Sequence, residues 1–340
     1  MTKIDAVIMW VDGEDEIFRR QYANYAGMVP KAARRHEVAG RHRNSGELVY
    51  CLRGIHAHMP WIDRIHIVTS GQIPDGLNFN DPKLNLVIHS DIFPDLSVLP
   101  TFNSFAIDSC LHRIPGLSEK FVRFSDDFLV INPVVPEVLL GADGQGHFYF
   151  GHILPNVIDA DETKTNHIRT LAFNRYVLGS TGRLAVHATQ HAPQLRDVTV
   201  CHQIEKSFTN DFAHTRASRF RTDRDISMLF FYPHYVSNEK ALPRDGEQRY
   251  KDASCTYSSW KDVRQVQVGS DKQNWRERIA NAKSDGAYFL NVNDAMGNAP
   301  NPKDMVDFQS LMRITLPDCA PWETPDGFSV HYPALVEAER

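Results

Sequence analysis

Hydrophobic residues in this chain come in short runs that close on a carboxylate or a turn residue. Ile4–Asp12 (IDAVIMWVD) is apolar apart from Asp5 and ends in Val11-Asp12-Gly13, which predicts a first buried strand and a turn. Glu14–Tyr25 predicts a helix that Asp12 is placed to cap. In Gly46–Trp61, Leu48, Leu52, Ile55 and Met59 recur at helical spacing, and Pro60 ends the pattern. Ile62–Thr69 and Leu84–His89 predict a second and a third strand, the latter followed by Asp91. The loop 99–104 feeds a helix through Arg113, with Asn103 or Ser104 as N-cap. Lys120–Asn132 (KFVRFSDDFLVIN) organises the rest: Asp126 and Asp127 break an aromatic and β-branched run. The part before the pair predicts a buried parallel strand, with Ser125, Asp126 and Asp127 at or just past its carboxyl end, where open α/β sheets bind ligands.

Strands alternating with helices over this half predict an α/β fold. The sheet is expected to be mostly parallel with helices on its faces, followed by inserted and C-terminal α+β segments. Residues 1–133 form the half with acidic strand ends, and 134–340 the remainder. Past Pro133, His147–Leu154 predicts a strand, and Leu171–Leu178 and Leu195–Phe212 predict helices. Ala287–Asp294 predicts a late strand, and Pro302–Ile314 an amphipathic helix with Met305, Val306, Phe308, Leu311 and Met312 on one side. Residues 237–285 show no core periodicity.

Composition narrows the classes. The chain has 340 residues, 42% of them hydrophobic and 23% charged, enough to bury a core. Its net charge of −5 and pI near 6.3 speak against a nucleic-acid binder. The five cysteines are scattered without a CxxC pair, which fits a reducing compartment. No apolar run is long enough to span a bilayer. A cytoplasmic location is expected, with peripheral contact at the inner face of the membrane left open.

Three predicted strand ends carry Asp12, Asp91 and Asp126-Asp127. Buried carboxylates need compensation, and a hard divalent metal that also holds phosphates is one form of it. Basic residues gather at Lys31–Asn44 and at Arg216, Arg219, Arg221 and Arg224. If residues 219–221 are extended, Arg219 and Arg221 share one face, opposite Phe220. Carboxylates with a metal and guanidinium groups for phosphate suit a nucleotide-diphosphate substrate. His187 and His191 stand four apart, a spacing that binds metal on a helix. His191 alone is the stronger candidate, as an acid or base. The motifs of serine hydrolases, P-loop kinases and dinucleotide dehydrogenases are missing from the sequence.

Four blocks in order carry a family resemblance. They are IDAVIMWVDGED (4–15); the run from RNSGELVYCLRGI (43–55) through PWIDRIHIVTSGQIP (60–74) and HSDIF (89–93) to LPTFNSFAIDSCLHRIPGLSEKFVRFSDDFLV (99–130); HAPQL (191–195) with FTNDFAHTRASRFR (208–221) and Asp225; and YFLNVNDA (288–295). The chain resembles the Stealth family of sugar-phosphate transferases, which implies a nucleotide-binding sheet of the Rossmann or GT-A-like kind in residues 1–133, one catalytic domain completed by 134–340, and substrate-shaping insertions at 134–185 and 237–285. The resemblance implies transfer of a sugar 1-phosphate from a nucleotide sugar, of the UDP-hexose or UDP-N-acetylhexosamine type, to a hydroxyl of an oligo- or polysaccharide acceptor. A phosphodiester forms and a nucleoside monophosphate leaves. By motif position, Asp127, His191, Arg219 and Arg221 are the expected catalytic residues. Asp12, Gly13, Asn103, Ser104, Arg113 and Asn293 are expected to bind substrate. Asp126, Asp127 and Asp294 are expected to hold Mg²⁺ or Mn²⁺. Ser125 departs from the family, which has Asn before the paired aspartates. A metal-dependent glycosyltransferase releasing a nucleoside diphosphate, or a silent nucleotide-sugar-binding subunit, would share most of these features.

Overall fold

A computed structural model describes residues 3–29, 40–140, 144, 146–154, 166–237, 255–257, 262–269 and 274–324. Its strands in chain order are β1 (Ile4–Met9), β2 (Ile65–Thr69), β3 (Leu84–Ile88), β4 (Lys120–Ser125), β5 (Phe128–Val130), β6 (Phe148–Ile153), β7 (His187–Thr189), β8 (Gln194–Asp197), β9 (Cys255–Tyr257), β10 (Val263–Val268) and β11 (Phe289–Asp294). The central sheet runs β3-β2-β1-β4-β8; its first four strands are parallel, and β8 pairs antiparallel with β4. This is the mixed α/β architecture that the runs predict. The chain leaves β1 toward β2 and β3, then returns to place β4 on the other side. The switch point at the carboxyl ends of β1 and β4 is where such sheets open a crevice.

Strand parity sorts the two faces. Ile4, Ala6 and Ile8 of β1 and Val122 and Phe124 of β4 are buried in one core with Leu48, Leu52 and Ile55 of the helix Glu47–His58. Val7, Val68 and Phe121 join the opposite core, under the helices Val198–Ser207 and Met228–Val236. Arg123 and Ser125 share the face of Phe121. Gly54 lets the helix Glu47–His58 lie directly on β5, because a Cβ there would run into the backbone of Val130.

Lys120–Asn132 is two strands rather than one. It breaks at Asp126-Asp127, and β5 crosses into a second sheet, β10-β11-β5. The i, i+4 reading of His187 and His191 fails, since His187 lies in β7 and His191 in the turn after it. Residues 219–221 are irregular, so the alternating-strand reading of Arg219 and Arg221 fails too. Leu195–Asp197, expected as the start of a helix, belongs to strand β8; Asp197 then caps Val198–Ser207 through Val200 N–H at 3.1 Å. The polar stretch 237–285 contains β10 and the helix Trp275–Ala282. In Pro302–Thr315, Met305, Phe308 and Met312 face inward while Val306 is exposed. No helix among the described residues is long and apolar enough to cross a membrane.

Candidate active site

A cavity of about 700 Å³ opens at the switch point. Met9 and Trp10 come to it from the end of β1, and Ser125, Asp126 and Asp127 from the end of β4. Glu47, the first residue of its helix, and Asn293 and Asp294 at the end of β11 also line it. One wall is therefore acidic. Asp127 N–H donates to Asp126 Oδ1 at 3.1 Å, and Asn291 Nδ2 donates to Asp127 Oδ2 at 2.8 Å. Ser45 N–H donates to Glu47 Oε2 at 2.7 Å. Asp294 accepts from Met296 N–H at 2.8 Å and pairs with Arg43, whose other arm donates to the Gly297 carbonyl.

These carboxylates crowd one another. Burial pushes Asp126 well above the usual carboxylate range, and the charges of Asp127 and Glu47 push it further. Burial raises Asp127 as well, against the pull of Asn291 and Arg123. Glu47 is pushed up to about 7 by burial, with Asp127 and Asp294 adding repulsion.

Basic residues line the same cavity. Arg221 donates to Ser104 Oγ and lies 4.5 Å over the Phe105 ring. Burial, with Arg41 and Arg123 nearby, depresses its pKa well below the ordinary arginine value. His191 is driven down to about 4 by burial and by His167, Arg123 and Arg221. It is neutral at pH 7 and able to accept a proton.

Of the residues expected from the sequence, Ser104, Asp126, Asp127, His191, Arg221, Asn293 and Asp294 share this cavity. The others do not line it. Arg219 donates to the carbonyls of Ser97 (3.0 Å) and Leu99 (3.3 Å) and stacks on Tyr25. Arg113 pairs with Glu205 at 2.6 Å. Asn103 is fully buried, caps Phe105 N–H and donates to Asp225 Oδ2 at 2.8 Å. Asp12 accepts from Glu14 N–H, and Asp15 rather than Asp12 caps the first helix. Gly13 N–H donates to His42 O, and a Cβ at Gly13 would strike that carbonyl. Asp91 turns back onto Ile88 N–H at 3.0 Å, outside the cavity. Of three acidic strand ends, only Asp126-Asp127 therefore delivers its carboxylates to the pocket.

Glu47, Asn291 and Arg123 escaped the sequence reading, while Arg43 belongs to the basic stretch Lys31–Asn44 that it picked out. Glu47 looks like an ordinary first-turn acid, stabilised by the helix dipole. Asn291 left a usable signal, a polar residue at an inward position of a buried strand.

The acidic wall fits a hard divalent cation. It offers carboxylate oxygens alone, and Asp126 and Asp127 are crowded enough that added positive charge would relieve them. His112, His202 and Glu205 have ligand atoms within 4.8 Å of one another and lie outside this cavity's lining. There Glu205 already accepts from Arg113 and Arg216 at 2.6 Å and His112 at 2.8 Å, so its charge is spent on the fold.

Fold and pocket together define an α/β protein whose site lies at the carboxyl edge of a parallel sheet, with carboxylates facing arginine and histidine. Two family descriptions match: Stealth protein CR2, conserved region 2, over residues 41–147, and Stealth protein CR3, conserved region 3, over residues 190–238. The chain belongs to the Stealth family. It is 35% identical over 260 residues to the exopolysaccharide phosphotransferase SCO6023 of Streptomyces coelicolor, covering 73% of this chain and 42% of that one. It is 32% identical over 246 residues to the exopolysaccharide phosphotransferase CpsY of Mycobacterium tuberculosis, covering 71% and 46%. The chain thus spans less than half the length of these relatives. Among solved structures, a galactosyltransferase LgtC in complex with donor and acceptor sugar analogs overlaps 94% of this chain and 98% of that one, with a TM-score of 0.42 and 11% identity.

Proposed function

We propose that this protein transfers a sugar 1-phosphate from a nucleotide sugar to a hydroxyl of an oligo- or polysaccharide acceptor, in capsular or exopolysaccharide synthesis. The observation that carries this reading is that buried carboxylates, guanidinium groups and a neutral imidazole line one cavity. A donor diphosphate with its cation offers charges of both complementary signs. The names of the relatives support the same reaction.

Asp126 and Asp127 would hold Mg²⁺ or Mn²⁺, which when bound supplies Lewis-acid stabilisation of the diphosphate. Asn291 fixes the rotamer of Asp127 from the neighbouring sheet. Arg221, held by Ser104 and Phe105, takes charge on the phosphoryl group as it develops. His191 accepts the acceptor's hydroxyl proton. Burial, and then its positive neighbours, disfavour that proton, and a bound donor's negative charge would offset the neighbours. The acceptor oxygen forms a bond to the phosphorus beside the sugar. The bond from that phosphorus to the bridging oxygen breaks, and the nucleoside monophosphate leaves with the electron pair.

The test is a nucleotide-release assay with Mg²⁺ or Mn²⁺, a panel of nucleotide sugars and oligosaccharide acceptors. Release of UMP or another monophosphate, with a new phosphodiester phosphorus resonance, supports the proposal. Release of a nucleoside diphosphate replaces it with glycosyl transfer, and donor binding without release replaces it with a silent subunit. His191→Ala should lower turnover by ~10²–10⁴. Arg221→Gln should be similarly impaired, and Arg219→Gln should keep near-normal turnover.

A further inference from the structure

Arg123 is a buried cation that the ion pairs of the fold do not use up. It stands on β4 two residues before Ser125, on the same face, and lines the cavity at 5% exposure. Its Nε lies 3.3 Å from Asp108 Oδ2, out of line for a hydrogen bond. Nε and Nη1 are both buried without a hydrogen-bond partner among the described residues. Asp108 is also committed elsewhere, since Arg196 reaches its Oδ1 at 2.5 Å and its Oδ2 at 3.4 Å. Two buried guanidinium groups therefore share one carboxylate. The side chain of Arg123 lies with its guanidinium carbon 5.4 Å from the centroid of the Phe128 ring.

A buried donor without an acceptor costs about 1–3 kcal/mol, and more when it is charged. Arg196 alone would satisfy Asp108, so the fold draws little from Arg123 in this state. The cavity explains it better. Arg123 lines the cavity together with Asp126, Asp127, His191 and Arg221, and it is hydrogen-bonded to none of them. A sugar hydroxyl that lands there would leave the charge unbalanced. A phosphoryl oxygen would balance it and match the fork geometry of a guanidinium.

We propose that Arg123 is a further catalytic residue, donating to a non-bridging oxygen of the phosphoryl group that is transferred. This inference rests on the transfer reaction proposed above. In that step the acceptor oxygen–phosphorus bond forms as the phosphorus–oxygen bond to the nucleoside monophosphate breaks. The acceptor proton passes to His191, and Arg123 stays protonated throughout, stabilising charge on the phosphoryl oxygens.

The experiment is calorimetric binding of inorganic pyrophosphate with Mg²⁺ to the full chain, alongside thermal unfolding. Arg123→Gln should weaken pyrophosphate binding by about 10- to 100-fold, the loss of a charged hydrogen bond. Its Tm should stay at or above the wild-type value, because Arg196 keeps Asp108 paired. Arg123→Lys keeps the charge but loses the fork, and should bind about 3- to 10-fold more weakly. If Arg123→Gln binds like wild type while Arg221→Gln is weakened, the Arg123 role is overturned and the phosphate pocket stands. If wild type does not bind pyrophosphate, both fall. Should the glutamine variant not fold, wild-type affinity in Arg123→Lys overturns the proposal.

Discussion

Removing the carboxylate of Glu47 should make the metal-free protein more stable, not less. Glu47 is 8% exposed, accepts one backbone N–H from Ser45, and sits among Asp127 and Asp294. Burial and that repulsion carry its pKa from 4.5 to about 7. The folded pKa is the higher one, so the folded state binds the proton more tightly than the unfolded chain. Full stability is present below pH 4.5, and it is lost as pH rises through about 7. The loss amounts to about 3 kcal/mol at alkaline pH, at 1.36 kcal/mol per tenfold change in proton affinity. With about 2.1 cal/mol/K of unfolding entropy per residue, that is a Tm difference of about 4 °C. Thermal unfolding in chelator at pH 5 and pH 8.5 compares wild type with Glu47→Gln, which keeps an oxygen for Ser45. The variant should gain on wild type between the two pH values, and Mg²⁺ should shrink that gain at pH 8.5. A variant no more stable than wild type at pH 8.5 in chelator would refute the claim that this wall lacks charge compensation.

Two further substitutions probe the scaffold. Glu205→Gln should cost about 3 kcal/mol at pH 7, since it leaves Arg216 without its carboxylate. Burial alone would raise the Glu205 pKa, but His112, Arg216 and Arg113 hold it below the usual range. Its contribution is therefore present above pH 4.5 and fades as pH falls below it; urea unfolding at pH 7 and 4 should show the variant's deficit shrinking, and added Zn²⁺ should change neither. Gly54→Ala should cost about 1–3 kcal/mol by pressing a methyl group into the Val130 backbone, and should lower activity with it by shifting β5 and the Asp127 turn; a wild-type Tm would count against that packing.

What could be read from the sequence follows from which signals are local. Buried parallel strands are nearly continuous apolar runs, so β1, β2, β3 and β4 were legible, as was the carboxylate pair that ends β4. An acid at a strand end is a poorer signal. Asp12 and Asp91 sit there because turns and helix starts offer free N–H groups, and each bonds to one within three residues. Arg219 and Arg221 are two residues apart and look alike on paper, yet the irregular backbone sends one to loop carbonyls and the other to the cavity. Glu47 and Arg123 could not be told from a first-turn acid and a strand arginine without the tertiary pairing. Strand β10 (VRQVQV) hid because its apolar positions are few, and its inward face becomes evident only once β11 lies beside it.

Of the cavity's opposite charges Arg43 and Asp294 close into an ion pair, whereas Asp126, Asp127 and Glu47 make none with Arg221 among the described residues. Each group is tethered on its own side. Asp126 is held by the turn it begins, Asp127 by Asn291, Glu47 by Ser45 and Asp294 by Arg43, while Arg221 is held by Ser104 and Phe105. His191 avoids the problem by staying neutral. The tethers come from four separate stretches of chain, two of them in separate elements, β11 and the helix Ser104–Asp108, so no single local rearrangement brings these groups together. The charges thus remain apart and face a space that a cation and a diphosphate can fill in that order. Dipoles already in position need no reorganisation when the reaction moves charge, which is where electrostatic catalysis gains its advantage over water. The same arrangement explains why Glu47→Gln should relieve the metal-free protein: the carboxylate it removes is buried beside Asp127 and Asp294.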